Sequence, residues 1–190
     1  MSIYEKSNID EKESSRTLSV IVDNQPGALA RVVGLFSGRG YNIESLTVTE
    51  IDKKRHLSRI SIVTKGTSLT IEQIKSQLSR IIPVRLVRDL TIEGPFIESE
   101  LALIKVVASG LNRVEALRIA DTFRAKTLDV TLQSFIFELT GKPHKIDAFV
   151  SLMKSLGDTE ISRTGVSALA RGFETETKLL NKIITNKSKS

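Results

Sequence analysis

Apolar and polar positions along the chain switch repeatedly between two periods. Residues 17–23, TLSVIVD, have the near-alternation of a strand with one covered face. A polar turn, Asp23-Asn24-Gln25-Pro26-Gly27, ends it. Leu29, Val32, Val33 and Phe36 then fall at i, i+3, i+4 and i+7, the stripe of a core-facing helix. Gly38 and Gly40 predict its stop. YNIESLTVTEI and HLSRISIVT read as the next two strands, with Leu57, Arg59 and Ser61 on one face of the second and Ser58, Ile60 and Ile62 on the other. Thr70 is placed to cap a helix whose apolar face is Ile71, Ile74 and Leu78. IIPVRLVRDLTI closes the set, with Pro83 near its start.

The same order then recurs. Glu93 to Ser99, EGPFIES, has the Gly-Pro punctuation of a linker. ELALIKVVA predicts a strand, and NRVEALRIADTFRA a helix with Val114, Leu117 and Ile119 to Phe123 supplying apolar positions. TLDVTL and SFIFELT follow as strands. KPHKIDAFVSLMKSL is a helix with Pro143 at its start, where its missing N–H is harmless. TEISRTGVSAL is the last strand. The chain is therefore expected to be α+β, with two ferredoxin-like βαββαβ units. The expected boundaries are a flexible tail at 1–15, a first domain at 16–92, a linker at 93–99, a second domain at 100–172, and a flexible Lys-rich tail at 173–190. Each unit, at roughly 75–80 residues, is small for an independent core, so docking on another surface is expected.

Composition narrows the function classes. The 190 residues are 40% hydrophobic and 26% charged, ordinary for a globular chain, and no run approaches a membrane span. There is no Cys, which removes disulfides and thiolate chemistry. The opening segment has no apolar h-region and carries several acidic residues, which fits a cytoplasmic protein. The net charge of +6 is spread along the chain except in NKIITNKSKS, with Lys182, Lys187 and Lys189, and reads as a solvated surface. His56 and His144 are the only histidines and fall in different units, so neither a catalytic base nor a metal site is expected. GLFSGRG follows a helix rather than opening one after a strand, so it fails as a dinucleotide loop. RNA-binding modules share this element order but need exposed aromatics on the sheet. Aromatics are only 5% of this chain, and Phe135 and Phe137 sit in a core-like alternation, so no nucleic-acid partner is expected.

What remains is the turn at residues 23–27. A helix start leaves N–H groups without intrahelical partners and favours an anion. Gly27 has no Cβ to obstruct a ligand, Asn24 offers donors and an acceptor, and Asp23 can pair with an ammonium. A small zwitterion would suit this set. So would a plain connector in which Asn24 caps the helix and Pro26-Gly27 bends the chain. The second unit can be laid on the first, LARVVGLFSGRGYNIESL over ALRIADTFRAKTLDVTL, but the turn before its helix reads ASGLN. Any zwitterion site is therefore expected in the first unit alone.

The stretch LSVIVDNQPGALARVVGLFSGRGYNIESLTV, followed by LSRISIV, resembles the small, regulatory subunits of acetolactate synthase (acetohydroxyacid synthase). ELALIKV, FRAKTLDVT and RTGVSALARG agree, so the resemblance runs from about Arg16 to Gly172. It implies that the first unit is an ACT domain that pairs side by side with a second copy and holds effectors at the interface. It implies a non-catalytic chain that binds the large catalytic subunit, raises its conversion of pyruvate to acetolactate and confers feedback by valine. Thiamine diphosphate, Mg²⁺ and FAD belong to that catalytic partner, and none is expected here. Asn24 and Gly27 match the family's effector loop, with Ala28 and Leu29 in the same register. Asn42 matches the residue that reaches an effector on the neighbouring protomer. Thr49-Glu50 stand where many members have Ala-Pro, and the added charge near the pocket bears on feedback strength. KKRH at Lys53 to His56 makes the hairpin tip more basic than usual for the family. An amino-acid-sensing ACT protein serving a different enzyme is the alternative.

Overall fold

The computed structural model describes residues 12–187. Residues 1–11 of the expected N-terminal tail, and Lys189 of the basic C-terminus, lie outside the described residues. The chain divides into two compact units, one reaching to Gly94 and resuming at Gly172, the other spanning Pro95–Arg171.

The first unit runs β1 (Ser14–Asp23), α1 (Ala28–Arg39), β2 (Ser45–Asp52), β3 (Leu57–Gly66), α2 (Ser68–Leu78) and β4 (Val84–Asp89). Its antiparallel sheet has the order β2-β3-β1-β4, which leaves β2 and β4 at the edges. β1 starts earlier than the sequence suggests, because Ser14 and Ser15 pair with Gly66 and Lys65. On one sheet face Leu18, Val20, Val22, Ile60 and Ile62 pack beneath Val32 and Phe36 of α1 and Ile71, Ile74 and Leu78 of α2. Burying each of these large apolar side chains stabilises the unit by roughly 1.5–3 kcal/mol. The cap of α2 is Thr67 rather than Thr70, since the Thr67 hydroxyl accepts the Thr70 N–H at 3.2 Å. That satisfies one of the donors a helix start leaves open.

The second unit runs β5 (Phe96–Val107), α3 (Gly110–Phe123), β6 (Lys126–Val130), β7 (Ser134–Gly141), α4 (Pro143–Lys154), β8 (Asp158–Arg163) and β9 (Ser167–Ala170). The order is β6-β7-β5-β8, with β9 paired to the first part of β5. Phe96 to Ser99, expected as linker, are strand because they pair with Ala170 to Ser167. The single last strand expected over 159–169 is accordingly two, broken at Thr164–Val166. Phe135 and Phe137 are buried, as their alternation predicts, and the Phe137 ring meets Phe149 of α4 edge-on at 6.0 Å. α3 buries Ala116, Ile119 and Ala120, while Val114 and Leu117 remain exposed.

The C-terminal segment departs most from expectation. Glu176–Lys187 is a helix, α5, and belongs to the first unit rather than to a flexible tail. Read as a Lys-rich tail, the segment hides four aliphatic positions, Leu179, Leu180, Ile183 and Ile184, beside three lysines. Leu180 is buried against Ile21 and Leu57, on the sheet face opposite α1 and α2.

Candidate effector site

The turn between β1 and α1 is exposed from Asn24 to Gly27. Gly27 is the N-cap of α1 in the left-handed conformation, φ 81° and ψ −4°. Glycine reaches that region without the steric penalty other residues meet. No side chain caps this helix, and its first turn has no acidic residue. A Cβ built on Gly27 would meet nothing within 4 Å, so the space above the helix start is open. An uncapped, unobstructed helix start retains its attraction for an anion.

Asn24 does not cap α1. Its side-chain amide donates to Glu50 Oε1 at 3.1 Å, and its backbone N–H donates to the His56 carbonyl at 2.6 Å. Asp23 is not free for an ammonium either. Arg85 of β4 grips both of its oxygens, at 2.8 and 2.7 Å, and the Asp23 carboxylate holds the guanidinium pKa above its usual value. The carboxylate standing beside the turn is therefore Glu50 of edge strand β2. The sequence marked Glu50 as a departure from the family pattern, but its contact with Asn24 depends on a pairing 26 residues apart that only the fold reveals.

Ala28 is buried and helps seat the start of α1. Leu29 is not the core residue its spacing predicts. It is 39% exposed and Val33, one turn on, 37%, while Val32 and Phe36 carry the core contact. The apolar stripe is wider than the face the sheet can cover. Val48 of β2, whose cross-strand partner Ile60 faces the helices, is 44% exposed. Leu29, Val33 and Val48 thus leave apolar surface on α1 and on the β2 edge.

Asn42 is exposed in the loop after α1, where its carbonyl accepts from the Thr64 hydroxyl at 2.6 Å. It precedes β2, whereas Glu50 and Asn24 lie at the far end of that strand. At roughly 3.3 Å per residue, the eight steps from Asn42 to Glu50 span about 25 Å. One protomer therefore brings together Asn24, Gly27, Ala28 and Leu29, and does not bring Asn42 to them. Among the described residues there is no group of three or more His, Cys, Asp or Glu arranged to hold a metal, and no helix long and apolar enough to cross a membrane.

Comparison with known proteins matches both units to one family. Residues 18–85 fit the description "AHAS small subunit-like ACT domain", and residues 99–172 fit "Small subunit of acetolactate synthase". A probable acetolactate synthase small subunit of Archaeoglobus fulgidus is 44% identical over 156 residues, covering 82% of this chain and 96% of its own. The small subunit of acetolactate synthase isozyme 3 of Escherichia coli is 43% identical over 158 residues, covering 83% and 96%. The crystal structure of the Thermotoga maritima acetolactate synthase small subunit superposes with a TM-score of 0.74 at 36% identity, covering 85% of this chain and 99% of that one. The chain belongs to the acetolactate synthase small-subunit family.

Proposed function

We propose that this chain is the non-catalytic regulatory subunit of acetolactate synthase. It binds the thiamine-diphosphate-dependent large subunit, which carries the Mg²⁺ and FAD, and raises turnover of pyruvate to acetolactate. It also makes that turnover sensitive to valine. The observation that carries the effector reading is the uncapped start of α1 beside the Asn24–Glu50 pair. A valine carboxylate faces the open helix start at Gly27, its ammonium faces Glu50 and the Asn24 carbonyl oxygen, and its isopropyl group lies toward Leu29. Glu50 takes the role that Asp23, held by Arg85, cannot.

The half-site supports a dimer. β2 is a sheet edge, and an edge strand is a template for pairing. Two β2 edges related by a twofold run antiparallel. A register centred on Leu46 sets Asn42 of a second copy beside Glu50 of the first. The same pairing covers Val48, and α1 brings Leu29 and Val33 to the joint. The site is then complete only across two protomers.

Calorimetry of valine against the isolated chain tests this reading. One valine per protomer is expected, and Glu50→Gln is expected to weaken binding roughly ten-fold, because a charge-assisted contact to the ammonium is lost. Unchanged affinity in Glu50→Gln would remove Glu50 from the site. No saturable valine binding by the intact chain would refute the effector reading.

A further inference from the structure

The family match ends at residue 172, and α5 lies beyond it at Glu176–Lys187. α5 therefore lies outside the segments that the two family descriptions match.

Among the described side chains its contacts centre on Glu176, Leu180 and Asn181. The Glu176 carboxylate, 7% exposed, accepts from Arg59 Nε and Nη2 at 3.1 and 2.8 Å, and Arg88 Nη1 lies 3.9 Å away. One helical turn on, Leu180 is 4% exposed among Ile21, Leu57, Ile51 and Leu86. Asn181 accepts from Arg55 Nη1 at 2.8 Å. Arg55 and Leu57 flank His56, whose carbonyl holds the Asn24 N–H and whose φ of 50° is left-handed. Leu57 also pairs with Asp23, the residue before Asn24. α5 therefore grips both neighbours of the residue that holds the effector turn.

We infer that α5 is a regulatory strap on the effector turn, and that its docking and effector binding favour each other. The inference rests on the reading of that turn as an effector site. With α5 seated, the β2–β3 hairpin end is fixed and His56 keeps Asn24 in place. The ordering cost of the turn is then already met when a ligand arrives. By linkage, a ligand on the turn must hold α5 down by the same factor. Among the described side chains, the dock is Leu180, the Glu176 ion cluster and the Asn181–Arg55 hydrogen bond, contacts that local opening can break. The sheet face beneath, with Thr17, Ser19 and Ser61 between its arginines, is polar enough to tolerate water.

The test uses the full-length chain with Leu180→Asp, which places a charge in the apolar seat, and separately Asn181→Ala, which removes only the Arg55 contact. Amide hydrogen exchange at Asn24 is expected to quicken roughly ten-fold in the first variant and less in the second. The valine Kd is expected to rise about five-fold in Leu180→Asp. Saturating valine on the unmodified chain is expected to slow exchange within α5. Unchanged Asn24 exchange in both variants overturns the strap, whatever valine does. If the unmodified chain binds no valine but Asn24 exchange still follows α5, the effector reading fails and the strap stands.

Discussion

Gly27→Asp is expected to abolish valine inhibition of the reconstituted enzyme while leaving activation by this chain largely intact. Gly27 is an exposed N-cap, and a Cβ there meets no protein atom within 4 Å. Overpacking is therefore not the cause of the effect. The positive φ costs a non-glycine residue roughly 1–2 kcal/mol, which the unit can bear. What changes is the site itself. An aspartate at the helix start satisfies the open N–H groups internally and places a negative charge where the effector carboxylate would sit. Gly27→Ala separates the two effects, since it carries the backbone strain without the charge. The measurement is turnover across a valine titration for both variants. Inhibition retained in Gly27→Asp would remove the turn as the effector site.

Mixing two inactive variants is expected to restore valine binding. Asn24→Ala and Asn42→Ala chains should each bind valine poorly as homodimers, because every site in them lacks one half. If each site takes Asn24 from one protomer and Asn42 from the other, a mixed dimer has one site with both defects and one intact site. Equal mixing then regenerates about one quarter of the sites, since half the dimers are mixed. Calorimetry after co-refolding reads that fraction directly. A mixture no better than its parents would mean that Asn42 acts within its own protomer or not at all. The 25 Å estimated along β2 makes the first of those alternatives hard to build.

The periodicities were enough for the βαββαβ order of both units, because both helix and strand stripes face one core and obey simple spacing. They failed where surface is committed elsewhere. Leu29 and Val33 continue the α1 stripe in sequence, yet the sheet covers only the Val32 and Phe36 side. Phe96 to Ser99 looked like punctuation because Gly94-Pro95 precede them, and only pairing with β9 makes them strand. α5 was missed because its segment reads as a tail; among the described side chains it is held by Leu180 and by a carboxylate shared between two arginines far away in sequence. In the candidate site, Gly27 and Asn24 were legible from residue type and turn position. The proposal of Glu50 in place of Asp23 was not, because it depends on which carboxylate Arg85 captures across the sheet.

Regulation of a separate catalytic chain is met head-on by one assay. Pyruvate-to-acetolactate turnover of the matching large subunit is measured alone, with this chain, and with this chain across a valine titration; this chain alone is the blank. Higher turnover is expected on adding the chain, with inhibition by valine in the mixture beyond that of the large subunit alone, and no turnover by the chain itself. Turnover and valine response unchanged by the chain would contradict that regulation.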